Sequence, residues 1–274
     1  APAAPAGAAT PAPTSAAAPP VPGSSATSVV FFQLEGEAKG PLVAVPLHCY
    51  DAPAKKLTSG DACLKLVPEG AVVHTNVGPL TVGAKTQPQC PVSPAMSAVK
   101  LLGKPQPRGA GAVDFLYGIW PQPEAARFAI LPASNPVGAM APVEQLVRHG
   151  LQVALGRGVA DLFIYQILNI ALGSEGPRQR LYSVAVPASR KVTSWSGLLL
   201  GDAAGRTARV LDEDKVAAGG QHSLQLVAKM DLDHNGKLEL LANTGGDQID
   251  RYAIRIWDGT NLPAVSDWSS CELK

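Results

Sequence analysis

The sequence predicts a mainly β protein (α+β, with one helix near residues 142–155) that is organised as two β-rich lobes. Short runs rich in Val, Leu and Ile recur along the chain, and turn residues separate them at intervals of about ten residues, as in all-β proteins. Only one segment places its apolar residues at helical spacing. The 27 Gly and 25 Pro fall mostly between the apolar runs, where such residues end strands and form turns.

The first 26 residues have a different composition from the rest of the chain. They contain prolines and alanines but no charged or aromatic residue, and the first charge is Glu35. Such a segment cannot bury enough apolar surface to offset the entropy of ordering it. We therefore expect residues 1–26 to be a disordered Pro/Ala linker of the kind that follows a cleaved export signal or a lipid anchor. A secreted, periplasmic or cell-surface location is the corresponding expectation.

The first lobe is predicted over residues 27–110. Its expected strands cover residues 28–34, 42–50, 62–67, 71–76 and 80–86. Residues 88–111 are rich in proline and are expected to form a loop at the boundary between the lobes. The second lobe is then predicted over residues 111–274.

Four cysteines, Cys49, Cys63, Cys90 and Cys271, support an oxidising compartment. None forms a C-x-x-C motif, so zinc-ribbon and thioredoxin-like sites are not indicated. Four cysteines allow three pairings. Cys49 and Cys63 flank a turn-rich, hairpin-like stretch, so we favour Cys49–Cys63 together with Cys90–Cys271. Four buried free thiols are the alternative.

The second lobe is predicted to contain the helix and most of the remaining strands. Two short strands are expected around a Pro-rich turn in residues 114–131. In residues 142–155, Pro142 fits the first helical position and five apolar or small residues share one face: Val143, Leu146, Val147, Gly150 and Leu151. Further strands are expected at residues 162–170, 181–187, 193–200, 206–211, 222–230, 237–242 and 252–257.

One motif between two of these strands carries recognisable chemistry. Residues 231–239 read D-x-D-x-N-G-x-x-E, with Asp231, Asp233 and Asn235 at alternate positions. Gly236 permits a sharp turn that directs the oxygens to a common centre, the Lys237 carbonyl can point inward, and Glu239 adds a further carboxylate. Hard oxygen ligands in a flexible loop suit Ca²⁺. The alternative is a metal-free Asn-Gly hairpin turn.

The motif is not that of an EF-hand, because Ala242 stands at the twelfth position and strands flank the loop. It resembles instead the calcium loop of FG-GAP/VCBS-type repeats, as in integrin-α-like β-propellers, over residues 221–259. The resemblance implies side-chain ligands at Asp231, Asp233, Asn235 and Glu239. It also implies the Lys237 carbonyl as a ligand and makes the loop a strand–calcium loop–strand hairpin of the second lobe. Asn235 and Glu239 stand where the family usually has Asp.

The remainder of the chain resembles exported bacterial proteins. Residues 166–184 have the strand–turn–strand rhythm of a second, decayed copy of the repeat, but they lack its ladder of carboxylates, with Ala171 where an Asp would stand. One good and one decayed copy cannot close a propeller, which needs at least about four blades. A β-sheet lobe derived from a repeat is the expectation.

Two classes of function are compatible with the sequence. The first is a non-catalytic, exported calcium-binding module for surface structure or for binding a protein or polysaccharide, in which calcium is a structural staple. No catalytic residue is then assigned. The alternative is an extracellular hydrolase that uses isolated carboxylates such as Asp202, Asp247 or Asp250.

The charge balance and the apolar runs argue against two further classes of protein. The chain has 23 basic and 22 acidic residues with no basic cluster, so a nucleic-acid partner is not indicated. Its longest apolar run, residues 159–173, is interrupted by polar residues and too short for a membrane span.

Overall fold

The computed structural model has sixteen strands and two helices among the residues that it describes. These residues are 27–36, 41–88, 97–107, 115–122, 128–131, 141–173, 176, 178–189, 192–202, 207–214, 223–245 and 249–271. The mainly β prediction is confirmed. The predicted linker, residues 1–26, lies outside the described residues, as do Cys90 and Asp247.

The first group of elements forms a closed antiparallel barrel of six strands. Its elements are β1 (Val29–Glu35), β2 (Leu42–Asp51), β3 (Lys56–Ser59), α1 (Asp61–Leu64), β4 (Val72–Thr75), β5 (Gly78–Thr86), β6 (Ala98–Leu102) and β7 (Tyr117–Trp120). The barrel order is β1-β7-β4-β5-β6-β2, and the β1–β2 pairing closes it, with β3 added beside β2. The predicted lobe boundary at residues 110/111 therefore separates β7 from the barrel that β7 completes.

The second group forms two antiparallel sheets and the long helix. Its elements are β8 (Phe128–Ile130), α2 (Ala141–Leu155), β9 (Phe163–Ile170), β10 (Gln179–Ser189), β11 (Val192–Gly201), β12 (Ala208–Asp214), β13 (Ser223–Met230), β14 (Glu239–Gly245), β15 (Ile249–Ile256) and β16 (Ala264–Cys271). One sheet has the order β12-β11-β10-β9, and the other has the order β16-β15-β14-β13-β8.

Four buried clusters place these elements in layers. The barrel interior holds Phe32 and its neighbours, and Phe31 on the outer face packs against the five-stranded sheet. The opposite face of that sheet packs on the four-stranded sheet, whose far face receives Val147 and Leu151 of α2. Because both faces of β1 are covered, all seven of its residues are buried, which explains its continuous apolar run.

A β-bulge in β13 lets side chains of this strand pack into two different hydrophobic cores. The pairing with β14 shifts between Leu226 and Ala228. Leu224 and Leu226 therefore face the four-stranded sheet, whereas Ala228 and Met230 face the barrel. A regular strand would have sent all four side chains to one face.

Three predicted elements need correction. Residues 62–67, predicted as a strand, begin in α1, because Cys63, Leu64 and Val67 are buried at helical rather than alternating spacing. The predicted loop at residues 88–111 contains β6. The two predicted strands in residues 114–131 exist as β7 and β8, but they join different sheets.

Candidate functional site

The 231–238 loop joins β13 to β14 at one end of the five-stranded sheet. Met230 and Glu239 are partners in the antiparallel ladder, so the loop begins and ends at one pair of residues. Both flanking elements are strands, as predicted, and the EF-hand arrangement of two helices is excluded for this loop.

The turn within the loop is formed by two left-handed residues and a chain of short-range hydrogen bonds. His234 has φ 58° and Gly236 has φ 77°, and His is among the non-glycine residues that most often adopt such angles. The Asp233 carboxylate accepts bonds from the Asn235 backbone N–H (3.1 Å) and from Asn235 Nδ2 (2.8 Å). The Lys237 N–H donates to Asn235 Oδ1 at 2.6 Å. The turn predicted at Gly236 is therefore confirmed.

Glu239 is the most buried residue of the predicted ligand set. Its side chain is 0% exposed, and Oε2 accepts a 2.8 Å bond from the backbone N–H of buried Leu232. Among the described residues, Oε1 has no hydrogen-bond partner. Burial raises the pKa of Glu239 to about 8, and the charges of Asp233 and Asp231 raise it further, while the Leu232 bond opposes the shift.

The other predicted ligands are closer to solvent. Asp231 and Asp233 are half-buried, whereas Asn235 and Lys237 are exposed. The backbone of Lys237 forms an isolated antiparallel bridge with Gly173. This bridge connects the loop to the turn after β9, which is the turn of the proposed decayed repeat.

The arrangement offers a cation carboxylate, amide and carbonyl oxygens from one short segment. Within the described part of the chain, no three His, Cys, Asp or Glu side chains are grouped closely enough to hold a metal ion. Both carboxylate oxygens of Asp233 accept hydrogen bonds from Asn235 within the turn. Metal binding would require some of these bonds to be exchanged for contacts to the ion.

Two features of the site could not be seen in the sequence. The spacing identifies the oxygen-bearing residues, but the Leu232 N–H that holds Glu239 belongs to a position with no polar side chain. The Gly173 bridge joins segments more than sixty residues apart, which no local pattern reveals.

The predicted Cys49–Cys63 disulfide is confirmed, with an S–S distance of 2.10 Å. It links β2 to α1 at the barrel, and both residues are 0% exposed. The Cys90–Cys271 pairing stays a prediction, because Cys90 lies outside the described residues.

The two described carboxylates that were considered for a hydrolase, Asp202 and Asp250, do not lie in the same sheet. Asp202 accepts a 3.2 Å bond from Thr207 Oγ1 at the end of β11. Asp250 lies in β15, on the other sheet, and Asp247 is not described.

Comparison of the chain with protein-family models, with curated proteins and with solved structures finds no match. Neither of the two described helices is long and apolar enough to cross a membrane.

Proposed function

We propose that the protein is an exported, non-catalytic β-rich module that binds Ca²⁺ in the 231–239 loop. The ion acts as a structural staple that fixes the β13–β14 connection. The module serves surface structure or the binding of a protein or polysaccharide.

The burial of Glu239 carries this proposal. An ionised carboxylate is costly to bury unless a counter-charge or hydrogen bonds compensate it, and Leu232 supplies a hydrogen bond to only one of its two oxygens. Asp231 and Asp233 add negative charge nearby rather than compensating it. A divalent cation would neutralise these carboxylates together, and oxygen-rich loops of this kind favour Ca²⁺.

The resemblance to FG-GAP/VCBS-type loops supports the same ligand set: Asp231, Asp233, Asn235, the Lys237 carbonyl and Glu239. Export is supported by the buried Cys49–Cys63 disulfide, because such bonds persist in oxidising compartments.

Calcium titration followed by thermal unfolding tests the proposal. A ligand that binds only the folded state at 100 times its Kd adds about 2.7 kcal/mol of stability. We therefore expect Ca²⁺ to raise the melting temperature of chelator-treated protein, and Mg²⁺ at the same concentration to raise it less.

Two double variants with the same loss of charge make the test specific. Asp231→Asn with Asp233→Asn removes the charges of two proposed ligands, and Asp161→Asn with Glu69→Gln removes two exposed carboxylate charges elsewhere. Only the first pair should abolish the calcium response. The proposal fails if chelator and calcium leave the wild-type melting temperature unchanged, or if both variants respond equally.

A further inference from the structure

The tip of the 231–238 loop holds the one Asn-Gly pair of the sequence, Asn235 followed by Gly236. Asn235 is exposed and Gly236 is half-buried. The side-chain carbon Cγ of an asparagine is electrophilic, and attack on it by the backbone nitrogen of the next residue closes a five-membered ring. Glycine hinders this attack least, because it has no side chain beside its nitrogen and the freest backbone.

Two hydrogen bonds fix the side-chain amide of Asn235 against its own backbone. The Lys237 N–H donates to Asn235 Oδ1 at 2.6 Å, which is the bond of an Asx-turn. The hydrogen-bonded ring that it closes contains both Asn235 Cγ and the Gly236 nitrogen, so the two reacting atoms are held in one short turn. On the other side of the amide, Nδ2 donates to the Asp233 carboxylate at 2.8 Å.

The same Lys237 N–H activates the amide for attack. Its hydrogen bond draws electron density from the Asn235 carbonyl, and it is already directed at the oxygen on which negative charge develops when a nucleophile adds to Cγ. Preformed donors at such an oxygen lower the barrier of acyl-transfer reactions. Because Asn235 is exposed, water and hydroxide also reach the reacting groups.

We propose that Asn235 is a site of spontaneous deamidation in the folded protein. The Gly236 nitrogen forms a bond to Asn235 Cγ, the Cγ–Nδ2 bond breaks, and the amide proton of Gly236 leaves with Nδ2 as ammonia. Water then opens the resulting succinimide ring at either of its carbonyl groups and gives aspartate or isoaspartate. The sequence of steps consumes only water and needs no oxidant or reductant.

Each product changes the loop in a different way. Aspartate adds a negative charge next to Asp233, and it is the residue that FG-GAP/VCBS-type loops usually carry at this position. Isoaspartate lengthens the backbone by one carbon and displaces the carboxylate. The reaction therefore alters the charge and shape of the proposed calcium loop irreversibly, although the reaction itself does not require that the loop bind a metal.

Peptide mapping of the full chain by mass spectrometry tests this proposal. The protein is kept folded in chelator for several weeks at neutral and at mildly alkaline pH. We expect the mass increase of an –NH2 to –OH replacement to accumulate in the peptide that contains Asn235, as two isomers that chromatography separates. Accumulation should be faster at the higher pH, because the attacking nitrogen must lose its proton.

The chain supplies a matched internal control. Asn261 is also exposed in a loop, but Leu262 follows it, and its branched side chain hinders attack by the backbone nitrogen. The peptide that contains Asn261 should stay unmodified over the same period. An Asn235→Asp variant provides the chromatographic standard for the aspartate product.

A Gly236→Ala variant tests the role of the glycine. We expect the reaction at Asn235 to slow at least about tenfold, which corresponds to a barrier about 1.4 kcal/mol higher. Because Gly236 has φ 77°, alanine strains the turn, so the melting temperature of the variant is measured alongside. The comparison of Asn235 with Asn261 in the wild type needs no variant and decides the question if this one does not fold.

Two results would overturn the proposal. The first is deamidation of Asn235 in the urea-unfolded chain but not in the folded protein, which would mean that the turn keeps Cγ away from the Gly236 nitrogen. The second is equal rates at Asn235 and Asn261. A wild-type melting temperature that does not respond to calcium would count against the metal site alone, since this experiment is made in chelator.

Discussion

Burial controls the chemistry of two ionisable side chains in this protein. Glu239 is 0% exposed beside the 231–238 loop, and His48 is 3% exposed in the barrel strand β2. Each has a polar atom with no hydrogen-bond partner among the described residues. The sequence marks Glu239 by its spacing from two aspartates, whereas His48 sits in an apolar run with no feature that indicates its burial.

A Glu239→Gln substitution should change the stability of the protein in opposite directions with and without calcium. Glutamine keeps the size and the hydrogen bond from Leu232 but has no ionisable group. In chelator at neutral pH it therefore removes the cost of burying or protonating the carboxyl group and should raise stability by about 1–3 kcal/mol. In calcium it removes the charge of a ligand and should lower stability. Urea unfolding in both conditions measures the change, and lower stability in both would contradict this reading of Glu239.

The acid sensitivity of the fold should depend on His48. Burial lowers the pKa of His48 to about 4 from 6.5, so the unfolded chain binds more protons between these values. Its contribution to stability is complete above pH 6.5 and is lost as the pH falls towards 4. At 1.36 kcal/mol per pKa unit, the loss at pH 4.5 is about 2–3 kcal/mol.

Urea unfolding at pH 7 and pH 4.5 checks this dependence. His48→Leu should lose less stability on acidification than the wild type does. His149→Leu, at an exposed position of α2, should behave like the wild type. Equal acid sensitivity in all three proteins would show that His48 is not the group responsible.

At the level of single elements, the predictions succeeded where one local pattern decides the structure. Helix α2 has a single apolar face, and that face is the one buried against the sheet. The failures have local causes. α1 is a single short turn, and proline-rich sequence surrounds β6. β16, which was not predicted, has a polar sequence (AVSDWSSC) and lies at a sheet edge.

Gly150 fixes how closely α2 approaches the four-stranded sheet. A Cβ atom at this position would lie 2.5 Å from the backbone oxygen of Ala208 in β12. In an exposed helix, replacing Gly by Ala adds about 1 kcal/mol of stability. Here the clash should reverse the sign, so Gly150→Ala should destabilise the protein by about 1–3 kcal/mol.

Thermal unfolding of two alanine variants tests this packing. Gly158→Ala provides the control, because the space around that residue is open. We expect a lower melting temperature only for Gly150→Ala. An increase would mean that α2 can shift away from β12 without losing its contacts to Tyr182 and Leu199.

At the scale of the whole molecule, the arrangement depends on pairings between distant segments. The barrel includes β7 because β7 pairs with β1, about ninety residues earlier in the chain, and no local pattern contains that information. The loop boundary predicted between the lobes was drawn from proline content alone. In the same way, the spacing of Asp231, Asp233 and Asn235 is readable in the sequence, but their position relative to Gly173 is not.

The two stacked sheets are joined by polar contacts as well as by their apolar faces. Gln166 of β9 is 2% exposed. Its side-chain amide forms two hydrogen bonds with the backbone of Leu226 in β13. Nε2 donates to the Leu226 carbonyl at 2.9 Å, and the Leu226 N–H donates to Oε1 at 3.0 Å. Ser196 accepts a 2.7 Å bond from the Leu224 N–H in the same strand. Side chains of the four-stranded sheet therefore form hydrogen bonds with backbone groups in the part of β13 that does not pair with β8.

Gln166→Leu should consequently weaken the joint between the sheets. It keeps the volume of the side chain but leaves the N–H and C=O of Leu226 without these partners, at about 1–3 kcal/mol for each buried group. We expect a loss of about 2–5 kcal/mol in urea unfolding and faster amide hydrogen exchange across residues 223–227. Gln225→Leu removes a half-buried amide from the same region of β13 and should have a much smaller effect. If the two variants are equally stable, the apolar faces alone hold the sheets together.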